Sequence, residues 1–524
     1  MNHSETQSLE YWVSDLVITD ADVEQIYNHF LEAERPQVAG QISDVIVNYR
    51  VSEERNRIKQ LLSGRTLYQP MAAYNVGDEL VFPALRFAAG TVQSVREGYD
   101  PSYGKYDVVA VEIDARTREF ASNLAGEHKL NIENGDGYDP FENVDLDDIK
   151  ARYGASVTKV VVDALSDRDE FVLVEGKWFV KDLMADVNIG HLHLAEAVLD
   201  MNEGGPLPSE EIIVHLDLDE GLDNEVRLFS LNYALSEDNR FDEVGPPGKI
   251  DWFLRKAEPD AVHIVPERLR YTPLTFDRAQ LSPQLLLLER ELDDEWSDLD
   301  LPQSAQPTIL ALTYPHRRAG TLPLSSRNRP LFPIGSSLRQ RVVLIDEQTE
   351  EEIEAWVVRE GRYIFGLGEW YSKHSIPVGG FITLKPGPES DRVLIDFDRR
   401  RPKREWVRLA TVEDNQLKFE LERRSVGCGY DDLLIVGTDF VGAIDSLARR
   451  MGANNKTLAS IMLGIFPTLA KLTPQETVHT KTLYSAINMI RRVPPGPLFA
   501  ELSKHPAFQP VGDHYWQYDA SRPK

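Results

Sequence analysis

The chain has 524 residues, one cysteine, 42% hydrophobic and 27% charged residues, and a formal net charge of −28. That length exceeds a single hydrophobic core and implies several domains, while the lone Cys428 excludes an internal disulfide and every cysteine-rich zinc module. No apolar run approaches the roughly 18 residues of a membrane span, and the opening MNHSETQSLEYW lacks the basic start and apolar stretch of a secretory signal, so a reducing cytoplasm is the expected location.

Residues 1–66 read as an N-terminal helical domain of helix-turn-helix type. Thr19 and Asp20 cap DADVEQIYNHFLEAE, a second helix runs through QVAGQISDVIVNY, and SEERNRIKQLLSG closes on a glycine. From 67 to 130 the period changes to alternation in YNVGDELVF, GTVQSVREG, YDVVAVEID and REFASNL, which predicts a small antiparallel barrel. Its Val-Gly-Asp-x-Leu-Val-Phe followed by a Gly-Thr-Val strand resembles SH3-like barrels of the KOW and CarD-type transcription-factor modules. Residues 131–148 form an acidic linker. Its Asp136, Asp139 and Glu142 lack the spacing of an EF-hand, so no calcium site is expected there.

A repeat then governs the chain. Val161, Leu165, Phe171, Val174, Gly176 and Trp178 share their order with Leu231, Leu235, Phe241, Val244, Gly245 and Trp252, and with Leu498, Leu502, Phe508, Val511, Gly512 and Trp516. Aliphatic residues four apart mark a helix face, and the Phe-to-Trp tail reads as strand, turn and strand. This Leu-x5-Phe-x2-Val ending in glycine and tryptophan resembles the winged-helix domains of the HARE-HTH and RNA-polymerase delta-subunit type. The resemblance implies winged-helix units at 149–184, 185–260 and 439–524 and an association with transcription or DNA-modifying machinery. A helical acidic linker at 261–305 contains ERELDDEWSDLD. Residues 306–438 carry eight short strands, TILALTY through DLLIVGT, that predict a second β-barrel. There Glu369–Gly380 resembles the helix-then-turn of B3-like DNA-binding domains, with Gly380 in place of the usual aspartate. The expected fold class is α+β multidomain: winged-helix units alternating with two small antiparallel β-barrels.

Charge is unevenly spread. Residues 1–300 hold 27 Lys and Arg against 60 Asp and Glu, a net −33, whereas residues 301–524 hold 30 against 25, a net +5. Binding faces are local, so the asymmetry places DNA contacts within residues 306–524 and protein partners on the acidic N-terminal half. The densest basic run is Arg399, Arg400, Arg401, Lys403 and Arg404, followed by Trp406 and Arg408. Arg317, Arg318, Arg327 and Arg329 form a second cluster. The last unit adds Lys481, Arg491, Arg492, Lys504 and His505, near where a winged helix meets its duplex. By contrast the first two units carry Asp163, Asp167, Asp169, Glu170, Glu237 and Asp238, which repel phosphate.

Asp163 with Glu175-Gly176-Lys177 matches the spacing of a magnesium-dependent nuclease, but a wing strand is a poor scaffold for that chemistry. His191 and His193 lack the spacing of a helical metal pair. No catalytic residue, cofactor or metal is therefore expected. The sequence points to a non-catalytic DNA-binding protein of transcription regulation or DNA-associated complexes. A protein–protein scaffold is the alternative, and a nuclease the third reading.

Overall fold

Thr19 opens the first long helix: its hydroxyl accepts the Asp22 N–H, and Asp22 accepts the Thr19 N–H at 2.7 Å, a reciprocal cap. The structure, a computed structural model, describes residues 4–522 apart from 127, 132–138, 140, 143, 298, 336, 390 and 455. Much of the expected linker 131–148, Asp136 included, thus lies outside the described residues. The chain divides into two compact units, Met1–Val187 with Leu218–Tyr233, and Asn188–Asp217 with Ala234–Lys524. Among the described residues no helix is long and apolar enough to cross a membrane.

Helix Asp20–Ala33 leads to strand Gln37–Val38 and helix Ala39–Leu62, and after an insertion come helix Leu146–Ser166 and strands Phe171–Val174 and Lys177–Val180. Strand Gln37–Val38 pairs with Lys177–Val180, and Thr158 Oγ1 donates to Ser43 Oγ at 3.0 Å between the two long helices. The segments expected as separate domains, 1–66 and 149–184, are therefore one body sharing one core. The insertion is a five-stranded sheet in sequential order, Thr66–Leu67, Glu79–Phe82, Ala88–Asp100, Gly104–Ile113 and Arg116–Ser122, packed over Tyr68, Tyr74, Phe82 and Val109.

The same order of elements recurs twice. Helix Ile189–Met201, strand Leu207–Pro208, helices Ser209–Ile213 and Asn224–Ser236, and strands Phe241–Glu243 and Asp251–Leu254 make the second copy. Helix Leu458–Ala470, strand Thr477–His479, helices Thr480–Asn488 and Pro495–Lys504, and strands Phe508–Gly512 and Tyr515–Tyr518 make the third. In each three-stranded sheet the last strand lies in the middle. The registers coincide as well. Trp178, Trp252 and Trp516 face Gln37, Leu207 and Val478, each two residues before a helix. Phe171, Phe241 and Phe508 face Val180, Leu254 and Tyr518, each two residues beyond the tryptophan. Trp252 Nε1 donates to Ser209 Oγ at 3.1 Å and Trp516 Nε1 to Thr480 Oγ1 at 3.0 Å, so in both copies the last strand is pinned to the start of the second helix. The first copy has Ala39 at that place and lacks the hydroxyl.

Between the second and third copies lies a seven-stranded sheet. Its spatial order is Thr308–Ala311, Phe381–Pro386, Arg392–Phe397, Arg339–Asp346, Glu352–Val358, Tyr363–Phe365 and Thr321–Pro323, with one parallel pair, Arg339–Asp346 against Arg392–Phe397. The expected eighth element, DLLIVGT, is no strand: it supplies buried Leu434 and Ile435 from a loop. Strands Arg399–Glu413 and Gln416–Cys428 leave the sheet and form a two-stranded ribbon of their own.

The acidic stretch expected as a linker at 261–305 is partly core. Helix Pro283–Leu292 packs on the third copy, and Asp293, Asp294, Glu295 and Ser297 are buried. Arg492 pairs with Asp294 and Glu295, both at 2.6 Å, His316 Nε2 lies 3.1 Å from Glu295, and Tyr484 donates to Asp294 at 2.6 Å. Charges that a composition argument assigns to solvent here join the seven-stranded sheet to the third copy.

Candidate nucleic-acid interface

The ribbon forms because Val407 and Leu409 alternate with polar residues and because Asp414 and Asn415 both take positive φ, 50° and 58°, as a tight two-residue hairpin turn requires. Pro402 sits where the pairing register shifts between Arg399 and Lys403, a bulge that tolerates its missing N–H. Directly opposed residues share a face. Arg404, Trp406 and Arg408 therefore lie beside Ser425, Arg423 and Leu421. Val407, Leu409, Val426 and Cys428 join the core of the seven-stranded sheet, whereas Ala410, Leu417 and Phe419 join that of the third copy. The ribbon is thus anchored on both sides and bare over the middle of one face.

That bare face is basic and aromatic. Trp406 is 64% and Leu421 43% exposed, and the Arg423 guanidinium lies 5.9 Å from the Trp406 ring centroid. Arg404 shares this face, whereas Lys403 opposes Val426 on the other and Arg401 lies within the bulge; all three are exposed, and among the described residues none of them has a carboxylate within ion-pairing distance. Arg400 pairs with Asp398 at 2.6 Å, Arg408 donates to the Asp432 carbonyl, and Arg424 pairs with Glu422 at 2.8 Å and with Asp439.

The rest of the sequence-derived set is mostly structural. Arg399 is held by Asp346 at 2.7 Å and Asp396 at 3.2 Å and lies over the Phe397 ring. Burial alone raises the Asp346 carboxyl, but the Trp370 indole, the Gln348 and Thr349 N–H groups and Arg399 together hold it well below the usual range. The cluster Arg317, Arg318, Arg327 and Arg329 does not exist as a patch. Arg317 is half-buried over Tyr371 and donates to the Ile376 carbonyl at 2.8 Å. Arg318 pairs with Asp445 at 3.1 Å, Arg327 with buried Asp293 at 3.0 Å, and Arg329 reaches the Leu324 carbonyl at 3.5 Å.

In the third copy Lys481 and Arg492 are corrected outright. Lys481 is buried between Asp431, at 2.8 Å, and Glu291, and Arg492 is buried on Asp294 and Glu295, so neither reaches a phosphate. The copy's third helix is itself covered: Pro495–Ala500 and Leu502 are buried, and Phe276 and Glu289 lie against Gly496. Arg491 donates to the Lys456 carbonyl at 2.8 Å, and with Lys456 and Lys504 it lines a groove of about 800 Å³ that also contains Asp277 and Glu501. His505 lies tilted against the Phe508 ring, with centroids 5.3 Å apart.

Arg423 and Leu421 were missed by the sequence reading. The available signal was the pairing of REWVRL with LKFELERRS, since it places Arg423 opposite Trp406. The nuclease spacing gains no support from its lysine, because Lys177 pairs with Glu225 at 2.7 Å, and Glu175 sits at positive φ in the turn between two strands. Neither a family model, nor a curated protein, nor a solved structure matches the chain.

Proposed function

We propose that this is a non-catalytic DNA-binding protein whose contact with the duplex is the ribbon Arg399–Cys428 rather than a helix of its repeats. One observation carries the reading: Arg404 and Arg423 share one face of a two-stranded ribbon with an exposed Trp406, exposed Arg401 and Lys403 lie just before Arg404 in the same strand, and Arg401, Lys403 and Arg404 have no carboxylate partner among the described residues. The major groove admits a two-stranded β-ribbon as well as a helix, and unpaired cations release phosphate counterions at little desolvation cost. The helix–strand–helix–helix–strand–strand order with the last strand central supports reading the three repeats as winged-helix units. Coverage of the third copy's last helix and the acidic residues of the first two favour a scaffolding or protein-binding role for those units, in transcription regulation or another DNA-associated complex.

The test is a mobility shift of a short duplex with the full chain and with Arg401→Glu, Lys403→Glu and Arg404→Glu combined. The reversed residues are exposed, so the fold is retained. The native chain binds with log affinity falling against log salt at a slope of roughly −3 to −4 for four phosphate contacts, and the triple variant loses at least about tenfold. No binding by the native chain at low salt rejects the proposal, and equal binding by the variant moves the site off the ribbon.

A further inference from the structure

The wing of the second repeat carries a cluster that the DNA reading does not use. Asp242 lies on strand Phe241–Glu243, Glu258 follows the 3-10 helix Arg255–Ala257, and His263 ends the short helix Asp260–His263. Phe253, Val262 and Leu269 pack with Trp356 beside them and fix these three elements together. One ligand atom from each of the three residues falls within 4.8 Å of the other two. The Glu258 side chain is fully buried, and His263 Nε2 lies 2.6 Å from its Oε2, yet neither Glu258 oxygen meets a donor in hydrogen-bonding geometry. A buried carboxylate left in that state costs stability unless something else satisfies it.

We infer that Asp242, Glu258 and His263 form a binding site for a divalent transition-metal ion of the zinc class. Imidazole with two carboxylates is a borderline donor set, which suits zinc, cobalt or nickel and disfavours magnesium and calcium, whose sites are built from oxygen alone. Zinc holds nitrogen and oxygen at about 2.0–2.2 Å, so a tetrahedral site spaces its donors roughly 3.4 Å apart, and the present spread closes to that by side-chain movement. The ion takes up the lone pairs that Glu258 leaves unused. Arg339 Nη1 lies 3.3 Å from Asp242 Oδ2 and orients that carboxylate as an outer-shell contact. Asp242 and His263 are each about one-fifth exposed, which leaves the site open to entry from solvent. Metal binding here ties the wing strand to the segment that follows it.

The experiment uses full-length, tag-free protein stripped with chelator and titrated with zinc chloride by calorimetry, then with cobalt chloride by visible absorption. A single high-affinity equivalent of zinc and a cobalt spectrum with nitrogen–oxygen ligand-field bands are expected. Glu258→Gln and His263→Ala each abolish both. Glu258→Gln keeps the shape of the side chain while removing its charge, and circular dichroism and unfolding in chelator that match the native chain show that misfolding does not account for the loss. Absence of stoichiometric zinc uptake by the native chain overturns the inference, as does uptake that survives in Glu258→Gln.

Discussion

Arg492 lies 2.6 Å from Asp294, with both side chains about 2% exposed, although sequence reasoning places one on a DNA-binding surface and the other in a solvated linker. The same guanidinium reaches Glu295, which also meets His316. Burial alone raises the Glu295 carboxyl, but Arg492 and His316 outweigh it and hold it low, while burial and the Glu295 charge raise Asp294. Removing the cation leaves two carboxyl groups buried without compensation. Arg492→Met, close in volume, is therefore expected to destabilise by about 3–5 kcal/mol. Urea denaturation followed by tryptophan fluorescence reads this as a midpoint shift, and a change below about 0.5 kcal/mol would sink the assignment of a structural role.

His479 gives the fold an acid limit. Its Nδ1 accepts the Lys481 N–H at 3.1 Å and caps helix Thr480–Asn488. Burial, then the nearby His514 and Lys481 charges, lowers it from 6.5 to about 4. With the folded value below the unfolded one, the unfolded chain binds the proton first. The contribution is complete above pH 6.5 and is lost as pH falls toward 4. It amounts to about 2 kcal/mol at most, once solvent screening is allowed for. His479→Asn keeps a capping oxygen and removes the titration. The difference in unfolding free energy between native and variant chains should therefore change across that window and stay flat above it. A constant difference over the whole range would contradict this account.

The repeated tryptophans separate packing from hydrogen bonding. Trp516→Phe keeps most of the buried ring but loses the bond to Thr480 Oγ1, whose other bond, to the His514 carbonyl, remains. A cost of about 1 kcal/mol is expected, against about 3–5 kcal/mol for Trp516→Ala. Trp252→Phe should behave alike through Ser209, and Trp178→Phe should cost less because Ala39 offers it no acceptor. Equal penalties at all three sites in thermal unfolding would argue against the shared clip.

What could be read in the sequence follows from the range of the forces involved. The repeat was legible because Phe, Trp and Leu at fixed spacing are its core, and core positions tolerate few residue types. The caps at Thr19 and the strands of the inserted five-stranded sheet were legible because they depend on near neighbours. The union of residues 20–62 with 146–180 was not, since the pairing of Gln37 with Trp178 spans an inserted domain. The fate of the charges was invisible for the same reason. Arg399 and Arg401 are two residues apart in one run, yet the first is committed to Asp346, 53 positions away, and the second to none of the described residues. A count of cations along the chain cannot tell them apart; only the tertiary partner can.

Arg404 and Lys481 make the same distinction testable. If the ribbon is the contact, Arg404→Gln leaves stability within about 0.5 kcal/mol and lowers the salt slope of DNA binding by about 0.9, the share of one phosphate. Trp406→Ala, also on the bare face, weakens binding about tenfold without moving that slope, because an aromatic contact releases no counterion. Lys481→Met does the reverse: it strips two carboxylates of their partner, lowers the unfolding midpoint and leaves the salt slope of the folded fraction unchanged. Salt-dependent fluorescence anisotropy on the three variants, paired with thermal unfolding, measures both quantities on the same samples. A slope change in Lys481→Met, or none in Arg404→Gln, would return the contact to the third repeat and take it from the ribbon.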